Sequence, residues 1–157
     1  MNDVRVPPYP RALRWLAFGW AVLVFVWFSL EDNHVLPVAL LGAGTALLYA
    51  TMQVWRRLGA QMLRLRTALV GALLLGAAVG VGAVVSTTFL MFFKTALHAH
   101  VFPDFPPAQM LAMLERAPAW ALAGALVSVG LVLMWGGLRG RMHPAPAEDL
   151  ATPSARA

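Results

Sequence analysis

Thr67–Phe93 reads TALVGALLLGAAVGVGAVVSTTFLMFF, and none of its residues carries a formal charge. As a helix rising 1.5 Å per residue it measures about 40 Å, more than the roughly 30 Å hydrocarbon core of a bilayer. The stretch is read as a membrane span that tilts or protrudes. Protrusion at its far end carries Phe92, Phe93 and Lys94 into the interface, with His98 one turn beyond.

Working outward, three more apolar runs are long enough to cross, at about 12–30, 35–55 and 118–138, uncharged apart from Arg14 near the start of the first and each near the 20 helical residues a span needs. The composition agrees: 60% hydrophobic residues, 12% charged residues and a mean hydropathy of +0.70 leave too little polar surface for a soluble domain. The fold class that follows is an all-α, polytopic integral membrane protein, a four-transmembrane-helix bundle over residues 1–141. The tail 142–157, with Pro144, Pro146 and Pro153 among Ala and Ser, has nothing from which to build a core and is expected to be disordered.

Basic residues orient the runs. Of twelve, ten fall in three clusters: Arg5, Arg11 and Arg14 before the first run, Arg56, Arg57, Arg64 and Arg66 between the second and third, and Arg139, Arg141 and Arg156 after the fourth. Lys94 and Arg116 alone occupy the other connections. By the positive-inside rule both termini and the middle loop are cytoplasmic and two loops lie outside, as in a multi-pass protein of a bacterial inner (cell) membrane. The same distribution explains the net charge of +5 and pI near 11 through arginines Arg11, Arg14, Arg56, Arg57, Arg64, Arg66, Arg139 and Arg141 set against lipid headgroups, so no nucleic-acid partner is inferred. Aromatic residues mark the same two boundaries, with Tyr9, Trp15, Trp55 and Trp135 inside and Trp27, Phe28, Phe93 and Trp120 outside.

The connections carry their own signals. The first run ends in Ser29-Leu30-Glu31-Asp32 with no small-x-small site and reads as an uncleaved signal anchor. Asp32 or Asn33 is placed to cap the second helix, whose first turn holds Pro37. Arg56–Arg66 puts Leu58, Met62 and Leu65 on one stripe and Arg57, Gln61 and Arg64 on the next, the spacing of a helix lying in the interface. In the second outer loop Pro106-Pro107 suits a helix start, and Ala108–Arg116 follows as a short amphipathic helix whose Met110, Leu111, Met113 and Leu114 face lipid or a partner.

Small residues set the packing. Ala72, Gly76 and Gly80 recur every four residues on the third helix, and Gly124-x-x-x-Ser128 on the fourth offers a matching face, as do Gly42 and Ala46 on the second. Such a groove serves internal packing, a homo-oligomer or contact with another membrane protein.

Chemistry is sparse. No Asp, Glu, Lys, Arg or His falls in the middle of a run; the polar groups there are Thr45, Tyr49, Thr51, Gln53, Ser86, Thr87, Thr88 and Ser128, and hydroxyls of this kind usually bond back to a carbonyl one turn earlier. This weighs against proton-coupled transport and intramembrane metal. The absence of cysteine removes thiolate ligands and thiol nucleophiles. On the outer side His98, His100 and Asp104, with His34 from the first outer loop, form a candidate site for Zn²⁺ or Cu²⁺. Lys94, His98 and Asp104 are also the groups a small interfacial enzyme would use for acid-base work. No serine-hydrolase, zinc-protease or phosphate-loop motif occurs. The reading is a non-catalytic accessory or assembly subunit without cofactor; metal or small-solute handling, and then enzymatic action at the outer interface, are the alternatives.

Overall fold

The computed structural model describes residues 3–5, 10–30, 33–59, 61–98 and 103–142. In order, its elements are strand β1 (Asp3–Arg5), helices α1 (Ala12–Phe28) and α2 (Val35–Leu58), strand β2 (Met62–Arg64), and helices α3 (Leu65–His98), α4 (Pro107–Leu114) and α5 (Ala117–Met142). Among the described residues three helices are long and apolar enough to cross a membrane: α2, α3 and the Ala117–Gly136 part of α5. With that much spanning-length apolar helix the chain is a membrane protein. The apolar helix α1 is shorter, at 17 residues or about 26 Å. The tail from residue 143 lies outside the described residues.

Helix α3 is the axis of the structure, with α2 and α5 antiparallel to it on different faces. Against α5, a Cβ added to Gly80 would lie 2.5 Å from the Trp120 carbonyl carbon and 2.8 Å from Ala121 Cα, and one added to Gly76 would meet the Gly124 backbone and the Ser128 hydroxyl. Against α2, a Cβ on Gly42 would lie 2.7 Å from Thr87 Cα, and one on Gly82 would touch Ala46 Cβ at 3.4 Å. Backbone therefore rests on backbone along both faces. In lipid, where apolar side chains gain nothing by leaving solvent, this close approach is what holds helices together.

Helix α1 runs parallel to α3 and is pinned at three heights. Near the arginine-rich end Leu13 is buried. In mid-helix the Trp20 ring lies on Gly44, and its Nε1 donates to Thr45 Oγ1 at 3.0 Å. At the far end Trp27 is buried and Phe28 meets Phe93 edge-on, with ring centroids 5.2 Å apart. Strand β1 pairs antiparallel with β2, Val4 opposite Leu63, so the N-terminal segment and the α2–α3 connection share one end of the molecule.

The structure departs from expectation in four places. Residues 56–66 do not form one interfacial helix: α2 continues to Leu58, Gly59 leaves helical geometry at φ −54° and ψ 133°, and Met62–Arg64 become β2. The reason is non-local, because β1 supplies a strand partner that the local 3.6-residue periodicity cannot register. The cap of α2 is His34, in extended backbone and without a side-chain capping bond, not Asp32 or Asn33. The methionine face of α4 does not lie in lipid: Met113 is buried and Met110 packs on the apolar cluster at the end of α3, where buried Phe105 draws the helix in. Finally, the helices do not enclose a common centre. They lie around α3, and long apolar faces such as Leu122, Leu126 and Leu133 of α5 and Trp15, Phe18 and Phe25 of α1 remain uncovered.

Candidate functional site

Three of the polar side chains that sequence reading singled out, Lys94, His98 and Asp104, gather at the end of α3 opposite the arginines, where α1, α2 and α4 converge. The stripe Thr87, Leu90, Met91 and Lys94 is spaced at i, i+3, i+4 and i+7, so all four side chains share one face of α3, and all four are buried. Trp27 of α1, Val38 and Leu41 of α2, and Phe105 ahead of α4 close over that face.

Lys94 is therefore not the interfacial lysine its position near the end of an apolar run predicts. It is fully buried, and its Nζ lies 4.3 Å from the centre of the Trp27 ring. An ammonium over the face of a tryptophan is attracted by the ring quadrupole, by about 2 kcal/mol when both are desolvated. Trp27 is accordingly a lid on a charge rather than a lipid-facing anchor. Its own Nε1 is buried and has no hydrogen-bond partner, a cost of about 1–3 kcal/mol accepted to keep the ring over Lys94.

One turn beyond Lys94, His98 ends the helix. Its Nδ1 lies 2.7 Å from Asp104 Oδ2, and both side chains are about a quarter exposed. Next to this pair the Phe105 N–H donates to Thr95 Oγ1 at 3.2 Å, so the chain returning from the loop is tied to α3 at two adjacent points. Loop closure is the evident work of the pair, since its carboxylate is directed to an imidazole of its own chain.

Of the other proposed metal ligands, His34 sits exposed at the start of α2, and His100 lies outside the described residues. Among the described residues no group of three or more His, Asp or Glu side chains has the closeness a metal ion needs. Acid-base chemistry by Lys94 on an external substrate has no route in this conformation, because no part of that side chain reaches the surface. The packing residues form one contact: Gly76 and Gly80 face Gly124 and its neighbours, with Ser128 beside Gly76 and half-buried Ala72 one turn toward the arginine end.

The arginines do stand together at the other end. Arg11 and Arg14 are exposed at the start of α1, Arg56 and Arg57 are exposed in the last turn of α2, and Arg64 and Arg66 are exposed about the start of α3; Arg139 and Arg141 stand in the final turn of α5. In mid-membrane, Thr45, Thr51, Thr87 and Thr88 donate to the carbonyls of Leu41, Leu47, Ala83 and Val84 at 2.7–3.0 Å, so these hydroxyls are satisfied within their own helices. Sequence reading missed the burial of Lys94 and the roles of Trp27 and Phe105. The i, i+3, i+4, i+7 stripe ending on Lys94 was the available signal. Compared with known proteins, the chain matches no family model, no curated protein and no solved structure.

Proposed function

We propose that the chain is a four-span protein of the cell membrane, with both termini and the α2–α3 connection in the cytoplasm, and that it works as a non-catalytic accessory or assembly subunit. Four spans require α1 to cross, and its 17 residues stand at the short limit for a transmembrane helix. Support comes from the alternation of directions along the chain and from the pinning of α1 at both ends and the middle of its neighbours. The β1–β2 pair adds to this, because it keeps the residue before α1 and the residue after α2 on one side.

The observation that carries the subunit reading is the bareness of α5. Only 6% of its Ala117–Gly136 window is buried within the chain, against 22% for α3. A helix attached by a single glycine-lined edge presents the rest of its surface to another membrane component. Reporter fusions after Gly59 and at Ala157 are expected to read cytoplasmic, and fusions after Asn33 and Asp104 external; an external C-terminus sinks the four-span scheme. Native electrophoresis of mildly solubilised source membranes is expected to place the chain in an assembly larger than its 17.0 kDa. Migration as a detergent-bound monomer would remove the subunit reading while leaving the topology standing.

A further inference from the structure

A groove of about 410 Å³ runs between α2 and α3 and opens sideways, where the membrane lies. Its walls include Thr45, Tyr49 and Gln53 of α2 and Leu75, Ala78 and Ser86 of α3. Three properties separate it from an ordinary seam between helices. It has a depth: Thr45 stands ten residues from the start of α2, about 15 Å along the helix and thus near the middle of a 30 Å core. The groove therefore occupies one leaflet. It has a polarity gradient, because Thr45 already binds the Leu41 carbonyl while Tyr49 and Gln53, with hydroxyl and amide donors, lie toward the arginine end. It has a charged mouth as well. Tyr49, Gln53 and Arg57 follow each other at four-residue steps on one face of α2, and exposed Arg56, Arg64 and Arg66 stand around the same end.

An apolar channel one leaflet deep, with donors near its opening and guanidinium groups beyond them, matches one kind of occupant. We propose that the groove holds an acyl chain of an anionic phospholipid from the arginine-side leaflet, with Arg57 on the phosphate and Gln53 directed to an ester carbonyl. A docking helix fits less well, because the arginines at the mouth complement a phosphate, and beyond Thr45 and Ser86 the apolar space continues as a second groove against Trp20, Ala21 and Val24 of α1. This inference rests on the chain lying in a bilayer, and beyond that only on the geometry of α2 and α3.

Native mass spectrometry of the full-length protein in mild detergent, titrated with phosphatidylglycerol or phosphatidylethanolamine of identical acyl chains, reads the proposal directly. The wild type is expected to bind phosphatidylglycerol the more tightly. Arg57→Gln should weaken phosphatidylglycerol binding about fivefold, the share of one arginine at an anionic surface, and weaken phosphatidylethanolamine, whose phosphate is offset by its own ammonium, by less, so that the preference falls. Ala78→Phe, which fills the exposed wall of the groove, should reduce binding of both lipids, and Arg116→Gln at the opposite end should alter neither. Arg57 is on the surface, so its variant tests the headgroup contact even if Ala78→Phe does not fold. Equal affinity for the two lipids, an Arg57→Gln variant that keeps the preference, or a wild-type dimer that Ala78→Phe dissociates would each overturn the proposal. Extraction of the membranes with alkaline carbonate separates the two levels: release of the chain defeats the membrane reading itself, whereas retention with equal lipid binding defeats this inference alone.

Discussion

Substituting Gly80 with alanine adds one carbon at the point where α3 and α5 come closest, and the structure gives the consequence a size. The new Cβ would stand 2.5 Å from the Trp120 carbonyl carbon and 2.8 Å from Ala121 Cα. Non-bonded carbons are comfortable at about 3.5–4.0 Å. Both obstructing atoms are backbone, so no rotamer change clears them and the two helices must part by about 1 Å. A gap of that size forfeits a quarter to a half of each dispersion contact along the seam, and overpacking of this kind costs about 1–3 kcal/mol. For a chain of this length 1 kcal/mol corresponds to about 2–4 °C, so a mid-range cost of about 2 kcal/mol lowers the detergent unfolding midpoint by about 4–8 °C. Gly130→Ala on α5 and Gly71→Ala on α3 are the controls, because an added Cβ at either position meets nothing within 4 Å. Removing an exposed helical glycine gains up to about 1 kcal/mol of propensity, so both should unfold at or slightly above the wild-type temperature. The signs are opposite for the same chemical change. If Gly80→Ala and Gly130→Ala melt together, the backbone contact between α3 and α5 is not what holds them.

Two other outcomes follow from the end of α3. Trp27→Phe should cost much less than Trp27→Ala, which leaves a cavity worth about 3–5 kcal/mol over Lys94, because the indole N–H lost in the phenylalanine variant has no partner; equal losses in thermal unfolding would contradict the lid described for this ring. A double-mutant cycle on His98→Ala and Asp104→Ala should return a coupling of about 0.5–1 kcal/mol, as for partly exposed ion pairs, and a value near zero in chemical denaturation would show that the pair does not hold the loop.

The features legible in the sequence are those set by near neighbours in the chain. The apolar runs, the four-residue spacing of Gly76 and Gly80, the return of threonine hydroxyls to their own helices and the start of α4 at Pro107 depend on a few adjacent residues, and each appears where local reasoning puts it. What failed depended on distant residues. The Leu58, Met62 and Leu65 stripe looked helical only because the strand opposite Met62 is Arg5, far back in the chain; Gly59 was the local stop signal, and it was outweighed by the periodicity. Lys94 looked interfacial because a charge at the end of an apolar run ordinarily is, and its burial depends on Trp27 and Phe105 arriving from two other segments. The His98–Asp104 distance was likewise unreadable, since a six-residue separation across a loop fixes no geometry. Only the shared face of Thr87, Leu90, Met91 and Lys94 foretold part of it.

The pairing of β1 with β2 also bears on the order of events during synthesis. β1 leaves the ribosome well before its partner, which ends at Arg64, nearly sixty residues after Arg5, an interval of about 3–12 s at ordinary rates of translation. Throughout that interval the first strand has no strand partner, and under the proposed topology it meets β2 only when α1 has crossed and α2 has come back. Under the proposed topology, a chain in which only one of α1 and α2 crossed would leave the two strands on opposite sides of the bilayer, unable to meet. Closure of this three-residue ladder would thus report that α1 and α2 have crossed as a pair, before α3 commits the remainder of the chain.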